Sequence, residues 1–257
     1  MRIITLPAAL ALAFLLYLPL PGLAARIPQA LCRLYGRIRL LFARKGGRTD
    51  DRTALTFFLL ALAGCAVLLS GIHPLFAAAL CAPAFGALSL VPQSAAVKRT
   101  LDSGACSGDI PGYESSVRDT CAALAPAFVH DACAPLLLLF AGTPLYLGCA
   151  LVWAYAGLRA ARESCPAAGK ALRLIGHACE RVFLALLVLC SGVVARNPLR
   201  TSGNGAQARL MSILGIANDG ADTHAPVAGD IAQGVFLCCF CTVLLCALLT
   251  LALLPLV

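Results

Sequence analysis

Long stretches without a charged side chain constrain this sequence more than any other feature. A bilayer-spanning helix needs about 20 apolar residues, and four of the five charge-free stretches reach that length. In lipid, every backbone N–H and C=O group must be bonded within the protein, so we expect these stretches to be helices. The chain is therefore predicted to be an all-α, polytopic integral membrane helical bundle. The five stretches are 3–25, 53–97, 132–158, 182–195 and 231–257.

Composition supports the same class of protein. Only 12% of the residues are charged, whereas soluble domains average about 25%, and the mean hydropathy is +0.88. The 257 residues leave room for a single membrane domain, 1–257, and for no large soluble one. The net charge of +8 does not indicate nucleic acid, because the positive residues lie beside apolar runs, where they orient the chain and contact anionic lipid. The expected partner is the lipid bilayer, and the expected location is the prokaryotic inner membrane.

The first charge-free stretch has two interpretations. Arg2, the apolar core and the small residues at 22–25 are typical of a cleaved signal peptide. The length of the core and the prolines at its end, Pro19 and Pro21, favour a retained first transmembrane helix over 3–25.

A strongly basic segment follows the first stretch. Residues 26–52 hold eight Lys or Arg against two acids. Arg33, Arg37 and Arg44 fall on or near the face opposite a set of apolar residues. This pattern predicts a basic amphipathic helix over about 27–43, lying on the cytoplasmic membrane surface. The apolar residues are Ile27, Leu31, Leu34, Tyr35, Ile38, Leu41 and Phe42.

Breaks inside the longer stretches leave the number of crossings open. Gly71-Ile-His-Pro74 divides 53–97 into two passes, or into one pass and a short or re-entrant piece. Gly142-Thr-Pro144 can make 132–158 a broken hairpin. The run 182–195 is too short to span at 1.5 Å per residue, so we expect it to form a hairpin or a surface helix.

Three polar segments separate these apolar runs and are expected to share one membrane face. They are 98–131, 159–181 and 196–230. The positive-inside rule places 159–181, with five Lys or Arg against two acids, on the same side as the basic amphipathic helix.

The fourteen cysteines are interpreted mainly as core residues. Most lie inside apolar runs, where a free cysteine behaves as a small hydrophobe. Cys238 and Cys241 form a C-x-x-C pair one helical turn apart, for which packing and metal or redox chemistry are both open.

Three polar constellations are candidates for chemistry. His130-Asp131 stands where a polar segment enters an apolar run, so Asp131 is either a functional group or a helix N-cap. His177 and Glu180, spaced i, i+3, share a helical face that is either a site or a solvated surface. The string 202–205 is either a phosphate-binding nest or a flexible turn.

From residue 98 onward the order of motifs resembles the CobD/CbiB integral membrane family of cobalamin biosynthesis, adenosylcobinamide-phosphate synthase. The stretch from Ala125 to Leu136, followed by Gly142-Thr-Pro144, is similar to that family's A-E-N-x-x-D-G-x-x-A-P-L and G-G-P-P-L. Ser107-Gly-Asp109 resembles the end of G-R-D-T. Asn204-Gly205 and the segment 211–216 are similar to its P-N-x-G-W-P-E-A-A-M-A-G-A-L-G loop.

The resemblance implies an ATP-dependent ligase that amidates adenosylcobyric acid with an aminopropanol phosphate. It implies catalytic roles for Asp131 and Arg118, and substrate binding by Arg173 and Asn204. Mg²⁺ would be held by Asp109 and Asp131, because such chemistry uses acids for Mg²⁺ and cations for phosphates. A corrinoid substrate, and a homo-oligomer or other cobalamin-pathway proteins, are the further partners it implies.

Two alternatives remain beside the enzyme. The family's N-T-L-D-S motif falls on 154–158 and its R-L-D-D motif on 173–176, where this chain has no acid. This loss favours a non-enzymatic membrane relative that acts as a binding or scaffold subunit. The broken helices also suggest a small-solute transporter.

Overall fold

The computed structural model of the protein describes residues 2–20, 22–42, 51–105, 112–142, 144–194, 205–216 and 225–254. Over these residues the chain is helical and contains no strand, which confirms the all-α prediction. The helices are α1 Arg2–Tyr17, α2 Leu23–Leu41, α3 Asp51–Ser70, α4 Pro74–Cys81, α5 Leu90–Ala105, α6 Tyr113–Phe128, α7 Ala134–Ala141, α8 Leu145–Ala161, α9 Pro166–Val194, α10 Ala206–Leu214 and α11 Ala228–Leu253.

Several helices are long and apolar enough to cross a membrane. Four of those in the described ranges qualify singly: Asp51–Ser70, Tyr113–Ala141, Pro166–Ser191 and Ala228–Leu253. A fifth candidate is a pair of helices, Pro74–Ala84 and Gly86–Ser103, bent by 61° at a short break. The protein is therefore an integral membrane protein with a polytopic helical bundle.

Two expected boundaries are wrong. The first helix, α1, ends at Tyr17, so it is about 24 Å long and shorter than the expected span over 3–25. The expected short element at 182–195 is the second half of the 29-residue helix α9. The charged residues from Lys170 to Arg181 belong to the same helix, because charged side chains do not end a helix whose polar half extends out of the apolar core.

The break at Gly71-Ile-His-Pro74 is confirmed. His73 has an extended backbone, and its Nδ1 atom accepts a hydrogen bond from the Leu75 N–H at 3.2 Å. Pro74 then occupies the first helical position, where its missing N–H is not needed. Two short 3₁₀ turns, Ala82–Ala84 and Gly86–Ser89, follow α4, so the second half of 53–97 is irregular, as its prolines predict.

The break at 142–144 produces a tight antiparallel hairpin between α7 and α8. A Cβ atom on Gly142 would lie 2.1 Å from the backbone nitrogen of Gly148. A Cβ atom on Gly148 would in turn lie 2.8 Å from the carbonyl oxygen of Leu139. The two helices approach this closely only because both positions lack a side chain.

We expect Gly142→Ala to destabilise the protein by about 1–3 kcal/mol, the usual range for forcing an extra carbon into a packed site. Gly64→Ala is the matched control, since a Cβ atom there meets nothing within 4 Å and alanine favours helix. Thermal unfolding in detergent measures both. An equal effect of the two substitutions would contradict the close hairpin.

The basic helix α2 packs one face on the bundle. Leu31 and Tyr35 are buried, and the Tyr35 ring lies 5.3 Å from that of Phe58 in α3. Cys32 Sγ donates to the carbonyl oxygen of Ala160 at 3.3 Å, which joins α2 to the end of α8. These contacts form a second, smaller core beside the main one. Its buried members are Leu31, Tyr35, Leu55, Phe58, Ala160, Ala161, Cys165 and Ala168.

An ion pair fixes the end of α2 to the start of α3. Arg39 Nε lies 2.6 Å from Asp51 Oδ1, and this hydrogen bond, together with the charge of Asp51, raises the pKa of Arg39. Together with the Cys32–Ala160 contact, this pair places the basic helix α2 beside the start of α3 and the start of the basic segment 159–181. The membrane side that these segments face stays a prediction. The location of α2 on a lipid surface stays a prediction.

Tyr35→Ala should loosen α2 and expose it to trypsin at Arg33 and Arg37, because truncating a buried aromatic residue costs about 3–5 kcal/mol. Leu34→Ala, at a position that is 44% exposed, is the control and should leave the cleavage rate unchanged. Limited proteolysis of the protein in vesicles measures the rate. Equal rates for the two variants would show that Tyr35 does not anchor α2.

The main core contains most of the cysteines as free thiols. Ten of the described cysteines are buried, and Cys238 and Cys241 both lie in the main core on α11. Packing is therefore the role that the structure gives to these side chains. The ten are Cys81, Cys121, Cys133, Cys149, Cys165, Cys179, Cys190, Cys238, Cys241 and Cys246.

Candidate functional site: two cavities that meet at Arg159

A π-helical turn stands in the middle of the long helix Tyr113–Ala141. It covers Val129–Cys133 and joins α6 to α7 without a break. The interpretation of Asp131 as a helix N-cap is wrong, because the helix begins at Tyr113, well before it. A π turn adds one residue to a helical turn and is frequent at functional sites. Here it directs His130 and Asp131 to different neighbours.

Asp131 forms an ion pair with Arg159 across the α7–α8 hairpin. The Arg159 Nη2 group also donates to Asp131 Oδ2 at 3.3 Å, so the contact uses two nitrogens and two oxygens. The Asp131 side chain retains 23% of its exposure and that of Arg159 retains 37%. A Cβ atom on Gly86 would lie 3.7 Å from Asp131 Cγ, so the 3₁₀ turns after α4 approach the same carboxylate.

His130 is held between α8 and α9. Its Nδ1 atom lies 2.7 Å from the hydroxyl oxygen of Tyr155, and the protonation of the ring decides which atom donates. Tyr155 is 3% exposed. On the other side, a Cβ atom on Gly176 would lie 2.9 Å from His130 Cε1. The ring therefore fits only against a glycine, and its orientation is fixed by contacts with both helices.

The larger of the two cavities, here called the cationic cavity, lies beside His130. It has a volume of about 930 Å³ and is lined by α6, the π turn, α8, α9 and the start of α10, with Cys32 of α2 at its edge. Four basic side chains line it against two acidic ones. They are Arg159, Arg162, Lys170 and Arg173, with Glu163 and Glu180.

Glu180 has a structural role at the rim of this cavity. Its Oε1 atom accepts a hydrogen bond from the backbone N–H of Ala206 at 3.1 Å. Its Oε2 atom lies 3.9 Å from Nδ1 of His177. Glu180 thereby ties α10 to α9. This hydrogen bond places the start of α10 beside the basic segment 159–181.

The smaller cavity, here called the apolar cavity, lies on the other side of Arg159. Its volume is about 370 Å³, and its walls are α2, the 3₁₀ turns after α4, the end of α6 and α8. Asp131 and Arg159 are the charged members of its described lining. Arg159, Cys32 and Ala160 line both cavities, so the Asp131–Arg159 pair stands at their common wall.

The structure brings some of the predicted site residues together and not others. Asp131 lines the apolar cavity and Arg173 the cationic one, and the two cavities share Arg159. Arg118 lines neither cavity; it lies 13 residues before Asp131 on one helix, which is about 20 Å along the axis. Asp109 and Asn204, like most of 202–205, lie outside the described residues.

Sequence reasoning missed Arg159 and Tyr155, which complete the site. Both lie on α8, and their i, i+4 spacing places them on one face of the helix. The sequence signal was the position of Arg159 one helical turn after Tyr155, at the end of an apolar run. Arg159 was assigned instead to the start of the basic segment 159–181.

The predicted Mg²⁺ site has only one of its two ligands in the described residues. There, no group of three His, Cys, Asp or Glu side chains is arranged to hold a metal ion. The one candidate ligand, Asp131, has both carboxylate oxygens engaged by Arg159. The described residues therefore do not fit a divalent metal, whereas the basic side chains of the cationic cavity do fit the phosphates of a nucleotide.

Gly176→Ala should displace His130 and break its hydrogen bond to Tyr155, with a loss of about 1–3 kcal/mol in stability. Gly169→Ala is the control on the same helix, because a Cβ atom there is 4.0 Å from its nearest neighbour. The thermal unfolding temperature of both variants measures the effect. Full tolerance of Gly176→Ala would contradict the clamped position of His130.

Comparisons with known protein families, with curated proteins and with solved structures find no match to this chain. Its function is therefore inferred from the two cavities, from the ion pair between them, and from the motif resemblance.

Proposed function

We propose that the protein binds a large anionic small molecule in the cationic cavity, at the surface of a prokaryotic inner membrane. We further propose that this site serves the amide-forming step of cobalamin assembly that adenosylcobinamide-phosphate synthase performs. The observation that carries the proposal is the cavity itself, in which four basic side chains meet beside His130 and the Asp131–Arg159 pair.

The charge of the cationic cavity supports a substrate that carries carboxylate or phosphate groups. Its volume of about 930 Å³ is near the upper end of ordinary small-molecule sites. Arginine binds carboxylate and phosphate through two parallel N–H groups, and the cavity has three arginines. A corrinoid carboxylate, an aminopropanol phosphate and a nucleoside triphosphate all carry such groups.

Water access also supports the proposal. A substrate with several charges cannot enter the hydrocarbon slab, which is about 30 Å thick. The cavity lies where the end of α6 and the polar half of α9 meet the start of α10, with Cys32 of the basic helix α2 at its edge. The π turn, α9 and the start of α10 come from distant parts of the chain, and each of them contributes to the lining of this cavity.

In an amide-forming reaction, the attacking amine must lose a proton and the carboxylate must be activated. The nucleoside triphosphate supplies the activation when it is bound. His130, with its ring fixed between Tyr155 and Gly176, is the group we assign to receive the proton. Arg173 and Lys170 hold the anionic groups of the substrate, and Arg159 is paired with Asp131 at the wall of the site.

One observation favours the non-catalytic alternative, a binding or scaffold subunit. Asp131, the acid that the resemblance assigns to catalysis, already has an internal partner in Arg159. An acid held in this way stabilises the walls of the cavity and is not available to a metal. In this alternative the cavity still binds the corrinoid, but the chain does not perform the ligation.

Arg173→Ala tests the anion site, and Arg99→Ala is the control, since Arg99 is exposed on α5 and lines neither cavity. We expect wild-type protein in detergent to bind adenosylcobyric acid. Arg173→Ala should weaken this binding about tenfold, because a hydrogen bond to a charged group contributes about 1.5–3 kcal/mol. Arg99→Ala should bind as wild type does.

Complementation of a strain without adenosylcobinamide-phosphate synthase completes the test. Growth that depends on Arg173 and His130, but not on Arg99, supports the enzyme. Binding without complementation supports the scaffold alternative. If the wild-type chain neither binds adenosylcobyric acid nor complements the strain, the cobalamin proposal is wrong.

A further inference from the structure

We propose that the outward face of α2 is a docking surface for anionic phospholipids of the membrane, which hold this helix against the bundle. The surface, here called the arginine face, consists of the exposed side chains of Arg26, Arg33 and Arg37, with Leu34 and Leu41 beside them. This inference goes beyond the proposed function and does not depend on a ligand in either cavity.

Three arginines form a single row along α2. Arg26, Arg33 and Arg37 are separated by seven and four residues, close to two turns and one turn of a helix with about 3.6 residues per turn. All three are exposed, and the row is about 16 Å long at 1.5 Å per residue. It lies opposite Leu31 and Tyr35, which are buried against the bundle. The arginines therefore point away from the protein.

No ion pair in the described ranges engages this row. The pairs there involve other residues, and α2 has no Asp or Glu along its 19 residues. The fourth arginine of the helix, Arg39, lies off the row and is paired with Asp51. Three positive charges on one exposed face therefore favour an anionic partner.

Contacts with α3 place the arginine face at the level of the membrane interface. Asp51, the partner of Arg39, is the first residue of the candidate span Asp51–Ser70. The ring of Phe42, at the end of α2, lies 5.5 Å from that of Phe57, which is 52% exposed on the same span. The end of α2 is therefore beside the first turns of a membrane helix, where the lipid headgroups lie.

Exposed leucines accompany the arginine row. Leu34 is 44% exposed and Leu41 is 80% exposed, and their seven-residue spacing places them in one row beside the arginines. At a membrane interface such leucines enter the acyl region, while arginine side chains extend to the phosphates above it. The two rows together match an amphiphile whose apolar chains carry a negative headgroup.

This combination selects an anionic phospholipid over other phosphates. Arginine binds phosphate oxygens through parallel N–H groups, and an exposed leucine row gains stability only where it leaves water. A free phosphate would use the arginines alone. Phosphatidylcholine would bring the positive charge of its choline group beside them, whereas phosphatidylglycerol carries the phosphate without that charge.

The inner face of α2 gives this docking a structural consequence. The Tyr35 ring lies 5.3 Å from that of Phe58 in α3, and Cys32 Sγ donates to the carbonyl oxygen of Ala160 at 3.3 Å. A lipid bound on the outer face keeps α2 in this position. Anionic lipid therefore stabilises the folded protein, because it binds the folded form of this surface.

The single tryptophan of the chain, Trp153, reports lipid at α2, because it packs against the smaller core that α2 shares with α3 and α8. The protein is studied in mixed micelles of maltoside and phosphatidylcholine. Energy transfer is measured from Trp153 to phosphatidylglycerol that carries a dansyl group on one acyl chain. Unlabelled phosphatidylglycerol should reduce the transfer at about a tenth of the mole fraction that phosphatidylcholine needs, since each arginine near the surface favours anionic lipid.

Two pairs of substitutions separate the arginine face from the overall charge of the protein. Arg33→Gln combined with Arg37→Gln should remove most of the preference for phosphatidylglycerol. Arg99→Gln combined with Arg181→Gln removes the same amount of charge at exposed positions of α5 and α9 outside both cavities. This control pair should keep the preference of the wild type.

Four results would overturn the proposal. Equal displacement of the labelled lipid by the two unlabelled lipids in the wild type would remove the selectivity, without reliance on the folding of any variant. An equal loss in the two pairs of substitutions would assign the preference to net charge alone. Displacement by glycerol phosphate, the soluble analogue of the headgroup, would make the face a site for free phosphate. Displacement by polyglutamate would make it a docking site for an acidic protein.

Discussion

The ion pair between Asp131 and Arg159 is the interaction on which the arrangement of the site depends. It joins the π turn of the long helix Tyr113–Ala141 to the end of α8, and it forms the wall between the cationic and the apolar cavity. Both side chains are more than half buried, so loss of one leaves the other in a poorly hydrated place. The pair therefore holds the hairpin closed and divides a polar binding region from an apolar one.

The helical class of the fold was predictable from the apolar runs, because the lipid environment permits few backbone structures. Runs without charge had to be helices, because lipid leaves no backbone group unbonded. The combination of Gly71 with Pro74, and of Gly142 with Pro144, indicated the breaks, because proline lacks the N–H that a continuing helix needs. The boundaries of α1 and α9 were not predictable in this way. Helix α9 continues through five basic and acidic side chains into the membrane region. Its polar first half lines the cationic cavity, and its apolar second half packs in the main core.

The site was predictable only in part. Asp131 stood out as an acid beside an apolar run, but its partner is 28 residues away, and the pairing depends on the hairpin and on a π turn that no periodicity indicates. Arg173 was identified through the resemblance, as the arginine that falls on the family's R-L-D-D motif. Arg118 was grouped with Asp131 by motif order, although it lies about 20 Å away along the helix. Motif order places residues in sequence, whereas only packing places them in one cavity.

A double-mutant cycle on Asp131 and Arg159 tests the central claim most directly. The thermal stabilities of Asp131→Ala, of Arg159→Ala and of the double variant are compared with that of the wild type. Because both side chains keep part of their exposure, we predict a coupling of about 0.5–1 kcal/mol, so that the double variant is less destabilised than the sum of the single ones. Arg162→Ala, at an exposed neighbour in the cationic cavity, should show no coupling to Asp131→Ala. Strict additivity of Asp131→Ala and Arg159→Ala would contradict an ion pair at the wall between the cavities.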